Sequence, residues 1–413
     1  MIKQTFSPTA MLTGNQEKVR KINKSIVMNM LRLYSPISRA RVANLTGLNR
    51  GTVSNIVTDL IEEGLVSENE QEDSKVGRPG ISLSLRPDGG AVIGMEIGVD
   101  FITILLTNFV AVTLWESRVD ISPSQSQTDI ISRAEQLIEQ ALSIAKEQRL
   151  RPLGMGIGLP GLINLSRGEL IIAPNLNWRN VPLRLMWNQR FRLPIYIENE
   201  ANLAAMGEYY FGVARNVDNF IYLSSGIGLG GGIMIGGNLF RGGHGYGGEI
   251  GHIQRDPTGE RCSCGRIGCW ETQVGPRAVL RRVKKELQIH SDQSLLDACQ
   301  GDFNNLTFTM VVRFALEGNS VCKQAIEEVA AYLGEGIADL VNVFNPELVV
   351  IGGAFILGKD ILHPIIEKAI FSSALQPSTD DLRIAFSERG ANAGAFGAVA
   401  IVLDDILREM TLT

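Results

Sequence analysis

Gly248-Glu249-Ile250-Gly251-His252, followed by Cys262-Ser263-Cys264-Gly265-Arg266-Ile267-Gly268-Cys269-Trp270-Glu271, decides how the rest of the chain is read. Three of the five cysteines fall within eight positions, with a histidine ten residues before the first. Three thiolates and one imidazole form a closed tetrahedral donor set, the composition of a structural zinc site. Gly265 and Gly268 supply turns that let so short a loop fold back around an ion. The expected ligands are His252, Cys262, Cys264 and Cys269, holding one structural Zn2+ per chain. Glu249 and Glu271 flank this set. A metal would fix both carboxylates and the imidazole relative to one another, which stiffens a polar ligand site.

With 413 residues the chain exceeds one ordinary core, and two or three domains are expected. No apolar run approaches the ~18 residues needed to span a bilayer. The start, Met-Ile-Lys-Gln-Thr-Phe-Ser-Pro, lacks the apolar centre of a signal peptide. An odd cysteine count without a secretion signal favours a reduced metal site over a disulfide framework. The expectation is a cytoplasmic protein with no membrane partner. The net charge of −5 hides an asymmetry. Residues 1–61 carry nine Lys+Arg and two Asp+Glu, a net of +7; the remainder carries 30 and 42, a net of −12. A basic head on an acidic body implies that only the head meets a polyanion.

The head reads as a helix-turn-helix. Residues 24–34 form an amphipathic pattern with Ile26, Met30 and Leu33 on one stripe. Ser38 can cap a second helix carrying Ala40, Val42 and Leu45, and Gly47 makes the turn. Asn49 can cap a third helix that turns Val53, Ile56, Val57 and Leu60 inward. Its outer face presents Arg50, Thr52, Ser54 and Asn55 near the end that reaches base edges in such motifs. Leu65-Val66 and Ile81–Leu85 then read as a hairpin with Gly77-Arg78-Pro79-Gly80 at or near its tip. That is a wing whose Arg78 can enter a minor groove. The candidate DNA contacts are Asn49, Arg50, Thr52, Ser54, Asn55 and Arg78.

From about residue 90 the pattern is α/β. Strands are expected at 91–99, 101–106, 154–158 and 195–197, with helices at 128–148 and 201–210. A second lobe opens with strands at 220–223 and 233–235 around a glycine cluster, and later has one at 348–351. Strands that end in glycine-rich turns on two lobes imply a ligand cleft between them.

The glutamate–histidine–cysteine element resembles the signature of the ROK proteins (repressors, open reading frames and sugar kinases), with the spacing matched at every position. The resemblance covers residues 14–400, and residues 14–86 look like the heads of ROK repressors, which free-standing ROK kinases lack. It implies an α/β chain with an N-terminal winged helix-turn-helix and a two-lobed actin-like (RNase H-like) ATPase fold. The expected division is residues 1–86 for the head, 90–200 for the first lobe, and 201–413 for the second lobe with the zinc site and C-terminal helix. It further implies sugar contacts at Gly161, Asn175, Asn199, Glu200, Glu249, His252 and Glu271.

Three departures from the kinase pattern argue against phosphoryl transfer. Glu96-Ile97-Gly98-Val99-Asp100 stands where the kinases have an Asp-x-Gly-Gly-Thr-type phosphate turn, so Val99 replaces a glycine and Glu96 an aspartate. Asn199-Glu200 replaces the Asn-Asp pair that holds the catalytic base. The Glu198-Asn199-Glu200-Ala201-Asn202 form resembles the xylose-responsive repressors. The expectation is a non-enzymatic, sugar-responsive regulator, a repressor of carbohydrate-utilisation genes that acts as a homodimer or dimer of dimers. Its partners would be operator DNA and a small sugar such as xylose or glucose. The alternatives are an active ATP-dependent sugar kinase with a DNA-binding head, and a repressor controlled by a sugar-transport protein.

Overall fold

The structure, a computed structural model, describes residues 16–70, 81–122, 124–289 and 292–409. The head comprises α1 (Gln16–Tyr34), α2 (Arg39–Thr46) and α3 (Arg50–Glu62). Ser38 accepts from the Arg41 N–H and Asn49 from the Thr52 N–H, so both expected caps form. Gly47 closes α2 in the left-handed region at φ 72°. β1 (Val66–Glu70) and β2 (Ile81–Leu85) pair antiparallel as the wing. Its tip, with Gly77, Arg78, Pro79 and Gly80, lies outside the described residues.

Two details differ from the expected pattern. The buried face of α1 is Val27, Met28 and Leu31, not Ile26, Met30 and Leu33. In α2, Val42 and Ala43 are buried while Ala40 and Leu45 are exposed. Helix α1 packs against the last helix of the chain as well as against α2 and α3. Its apolar stripe therefore faces the seam between two neighbours, whereas a periodicity reading assumes one.

The body repeats one strand plan twice. In the first lobe β3 (Ala91–Ile97), β4 (Phe101–Asn108) and β5 (Thr113–Asp120) form an antiparallel meander. Helix α4 (Gln127–Glu147) then buries Ile130, Ala134, Leu137, Ile138 and Ala141, as its spacing predicts. β6 (Pro152–Leu159) returns parallel to β3. A small sheet of β7 (Leu162–Asn164), β8 (Glu169–Ala173) and β9 (Trp178–Val181) follows, then α5 (Leu183–Phe191). β10 (Ile195–Asn199) pairs parallel to β6 and runs without a break into α6 (Glu200–Phe211). The sheet order is β10-β6-β3-β4-β5.

In the second lobe β11 (Phe220–Ser225), β12 (Leu229–Ile235) and β13 (Asn238–Leu239) again form a meander. After the cysteine loop come α7 (Pro276–Leu287), α8 (Gln293–Ala298), α9 (Phe308–Leu316) and α10 (Ser320–Phe344). β14 (Leu348–Gly353) lies parallel to β11; α11 (Lys359–Ser373) and then β15 (Arg383–Phe386), parallel to β14, complete the order β13-β12-β11-β14-β15. Counted from its first strand, each sheet runs first-strand hairpin on one side and two parallel strands on the other.

Helix α12 (Ala393–Glu409) crosses back to the first lobe, where it packs on α6, β6 and β3. The strand Gly154-Met155-Gly156-Ile157-Gly158 has glycine on one whole face, since side chains alternate. A Cβ on Gly156 would lie 1.9 Å from the Ala398 carbonyl, and one on the neighbouring Gly94 would lie 2.3 Å from that of Ala395. On the helix side, a Cβ on Gly397 would lie 1.7 Å from the Leu203 carbonyl of α6. The far half of α12 supplies Val399, Val402, Leu403 and Leu407 to the same apolar cluster as Val27, Leu31 and Leu60 of the head. This explains why residues 390–407, long and apolar enough to span a bilayer, are 56% buried inside the protein. Gly156→Ala should lower the thermal unfolding midpoint by about 5 °C or more through overpacking. Gly243→Ala, where an added Cβ meets nothing within 4 Å, should leave it nearly unchanged. Equal midpoints in a calorimetric scan would refute the close packing.

Candidate functional site

Parallel strands of both lobes end at Gly98, Pro160-Gly161, Gly226 and Ala354, and β10 ends at Asn199 where α6 begins. Such ends are where open α/β sheets bind ligands. Asn199 is both the last residue of β10 and the cap of α6. Its Oδ1 accepts from the Ala201 N–H at 2.8 Å and the Asn202 N–H at 3.3 Å, and its Nδ2 donates to the Gly161 carbonyl at 3.2 Å. Gly161 sits at φ 103°, and a Cβ there would lie 2.1 Å from the Ile172 carbonyl. These two expected contacts thus form one structural joint, which leaves a single Asn199 N–H for a ligand. Asn175 lies on the turn Pro174–Leu176 beyond β8 and is half-buried. Its amide makes no hydrogen bond to any described residue.

Glu200 opens α6. Its Oε2 is enclosed and has no partner, and a buried orphan acceptor is costly unless a ligand satisfies it. Burial pushes the Glu200 carboxyl up to about 8, and the charges of Glu96 and Glu249 add to the shift. Glu96, at the end of β3, is pushed up to about 7 by burial, against the pull of Arg118 and the Ala395 N–H. Glu249 is raised by burial too, with His252 opposing and Glu271 adding. Three glutamates from three elements therefore converge and resist simultaneous ionisation.

Around them lies a group that the sequence analysis missed. Glu198, 1% exposed, accepts from Arg241 Nε at 2.7 Å and through Oε1 from the Asn199 N–H and Asn202 Nδ2. This ion pair, buried at Glu198 and half-buried at Arg241, joins the end of a first-lobe strand to the glycine-rich loop of the second lobe. The available signal was a glutamate at the end of a buried strand, which requires a cation or several donors. Val99, in the β3–β4 turn, packs against the first-lobe core.

On the second-lobe wall the four expected metal ligands come together, with donor atoms all within 4.8 Å of one another. Cys262 Sγ lies 3.5 Å from His252 Nδ1, and Cys264 Sγ lies 3.7 Å from Cys269 Sγ. A tetrahedron with metal–sulfur bonds of about 2.3 Å and metal–nitrogen bonds of about 2.0 Å has edges of roughly 3.5–3.8 Å. The donor set fits a metal ion. With Nδ1 among the sulfurs, His252 Nε2 faces Glu249 Oε2 at 3.9 Å. Glu271 is shared: Oε1 lies 2.7 Å from Cys262 Sγ and 3.6 Å from His252 Nδ1, and Oε2 accepts from the Leu229 N–H at 3.4 Å. It therefore ties the metal loop to the glycine turn between β11 and β12.

In the head, Arg50 and Asn55 are exposed on α3 while Thr52 and Ser54 are half-buried. Asn49 is exposed but uses its side-chain oxygen as the α3 cap, at 2.7 Å from the Thr52 nitrogen. Arg78 lies outside the described residues.

The model of the ROK family matches residues 92–405 and so begins after the head. A xylose repressor of Caldicellulosiruptor bescii is 38% identical over 394 residues, which cover 95% of this chain and 98% of that protein. The crystal structure of a ROK family transcriptional regulator, a homologue of the Escherichia coli Mlc protein, aligns with a TM-score of 0.82 at 30% identity, covering 96% of this chain and 98% of that one. A ROK family glucokinase from Streptomyces griseus, in complex with glucose and AMPPNP, aligns with a TM-score of 0.67 at 30% identity, covering 76% of this chain and 99% of that one.

The raised Glu200 carboxyl fixes a sign for pH dependence. Between its ordinary value and about 8 the folded chain holds a proton that the unfolded chain has released, so stability falls as pH rises through that window. Glu200→Gln removes this titration. From about pH 5.5 to about pH 9 its unfolding midpoint should fall less than that of the wild type. Parallel pH profiles would show that Glu200 ionises as an ordinary carboxylate.

Proposed function

This chain belongs to the ROK family, and we propose that it is a sugar-responsive, DNA-binding repressor of carbohydrate-utilisation genes. The two similar lobes form the actin-like (RNase H-like) fold that it shares with ROK kinases, and the head supplies the operator contact. The observation that carries the reading is the convergence of Glu96, Glu200 and Glu249 around one unpartnered carboxylate oxygen. Sugar hydroxyls both donate and accept, so a mixture of carboxyl and carboxylate groups suits them. Asn175, His252 and Glu271 complete the proposed sugar set, with Gly161 and Asn199 shaping its floor. A nucleotide phosphate would instead meet a turn that carries Val99 where phosphate approach favours glycine. The protein is on this reading a sensor and not a kinase.

Xylose is the first effector to test, because the Caldicellulosiruptor relative is named a xylose repressor. In the proposed mechanism the sugar spans both lobes and favours one lobe arrangement over the other. A preference of a few kcal/mol is enough to shift the population; equal affinity would shift nothing. Two chains then present their α3 helices to two half-sites of an operator in the cytoplasm. The metal is zinc, held by His252, Cys262, Cys264 and Cys269. Its role would be structural: it would fix the His252 imidazole, whose Nε2 lies 3.9 Å from Glu249 Oε2.

A gel shift on the gene's own upstream DNA, with a panel of sugars, tests the reading. Xylose or another sugar should change the operator Kd, and Arg50→Ala should weaken specific binding by about 1–3 kcal/mol if it reads a base. The same preparation should not phosphorylate any sugar in a coupled ATP assay. Turnover near ~1 s⁻¹ would establish the kinase reading, and a response to cell extract but to no sugar would establish control by a protein.

Cys264→Ala should lose zinc in elemental analysis and weaken the sugar response, while binding DNA without sugar as the wild type does. Metal-free wild-type protein with a full sugar response would rule out the structural role.

A further inference from the structure

The seam between head and body holds a partly open cavity of about 330 Å³. It lies among the end of α1, the foot of the wing at Ser84-Leu85, the turn after β4, and the ends of α6 and α12. Part of its wall is apolar, including Leu31, Phe109 and Leu403. Three arginines line the rest, Arg32 from the head, Arg215 beyond α6 and Arg389 before α12.

None of these arginines forms an ion pair with a carboxylate among the described residues. Arg32 Nε donates to Asn29 Oδ1 at 3.4 Å, and its guanidinium stands 4.2 Å from the centre of the Tyr210 ring. Arg389 donates to the Phe211 carbonyl and lies 4.6 Å from the centre of the Phe396 ring. The Arg215 side chain makes no hydrogen bond to any described residue. Some half-buried guanidiniums elsewhere are matched by carboxylates, as Arg241 is by Glu198 and Arg255 by Asp339, whereas Arg184 donates to the Ile195 and Ser166 carbonyls. Acidic groups flank the seam on two helices: on α12 Asp404 accepts from the Tyr210 hydroxyl and Asp405 from that of Tyr196, and on α6 the buried Glu208 accepts from the Ser387 hydroxyl and the Val213 N–H. Burial is the largest influence on Arg32 and pulls its pKa down; Asp404 opposes this and Arg215 adds to it. Like charges gathered at a partly desolvated cavity are unfavourable unless an anion joins them.

We propose that this cavity is a second ligand site, which takes one small organic anion, a phosphate ester or a carboxylate with an apolar side. Guanidinium forks match the paired oxygens of either group. The volume is at the small end of the range of about 300–1,000 Å³ for ligand pockets. The site is separate from the sugar cleft, since Glu200 and Tyr210 are ten residues apart on α6 and so about 15 Å apart along its axis. It is separate from the wing tip as well, because Ser84-Leu85 is the opposite end of that hairpin. An anion here bridges the head to the segments that flank α6 and α12 and so fixes the angle of the head. The inference stands whichever sugar the cleft takes.

Isothermal titration of the full chain with phenyl phosphate, benzoate and neutral phenol tests it. One of the two anions should bind once per chain, and which one binds more tightly distinguishes phosphate from carboxylate chemistry; phenol should not bind. Arg215 is exposed, so Arg215→Ala keeps the fold and should weaken the anion about tenfold or more, while Glu200→Gln should bind it as the wild type does. The proposal fails if neither anion binds, if phenol binds equally, if Arg215→Ala has no effect, or if Glu200→Gln abolishes binding. It fails also if Arg215→Ala, with no anion present, weakens operator binding and flattens its salt dependence, since Arg215 would then meet DNA phosphates.

Discussion

Helix α12 lies backbone to backbone on α6 and on strands β3 and β6, and the arrangement of the remaining parts depends on this contact. Gly94, Gly156 and Gly397 each have a carbonyl where a side chain would be. Such packing has no slack, because a gap or an extra methyl is felt at interior density. Three features are fixed by it in turn. Glu96 receives the Ala395 N–H near the start of α12. Helix α6, which begins with Glu200, is held along its flank. The apolar core of the head is closed by the far half of the same helix. Site and head are thus two attachments to one rigid pair of helices.

The cleft has an electrostatic character of its own. Its glutamates are harder to ionise than exposed ones. A carboxyl that keeps its proton near neutrality donates a hydrogen bond as well as accepting one. One buried carboxylate, Glu198, is matched by Arg241 from the opposite lobe. Removing either partner would strand a charge, so this pair sets how the two lobes meet even before a ligand arrives.

Much of this was visible in the sequence, for physical reasons that differ from place to place. The metal ligands could be found because thiolates and imidazole at short spacing have few other uses. The caps Ser38 and Asn49 and the buried face of α4 follow from local rules, which need no knowledge of neighbours. The phase of α1 was misread because two partners share it, and the short α2 has too few turns to define a face. Glu198 and Arg241 are 43 residues apart, and nothing local joins them. The glycine face of β6 was in plain view as Gly154-Met-Gly-Ile-Gly158, yet it gains meaning only when the helix that lies on it is known. Counted by chain order, α12 goes with the second lobe; in space it joins the first lobe to the head.

That return of α12 also sets an order of events during synthesis. The head is synthesised before the body, but Val399, Val402 and Leu403 of its core are made hundreds of residues later. A nascent chain therefore exposes basic helices with an unfinished apolar core until both lobes have been translated. The head is completed last although it precedes both lobes in the chain, and an interrupted chain would release a head without its complete core. A complete head is in this way tied to possession of the whole body.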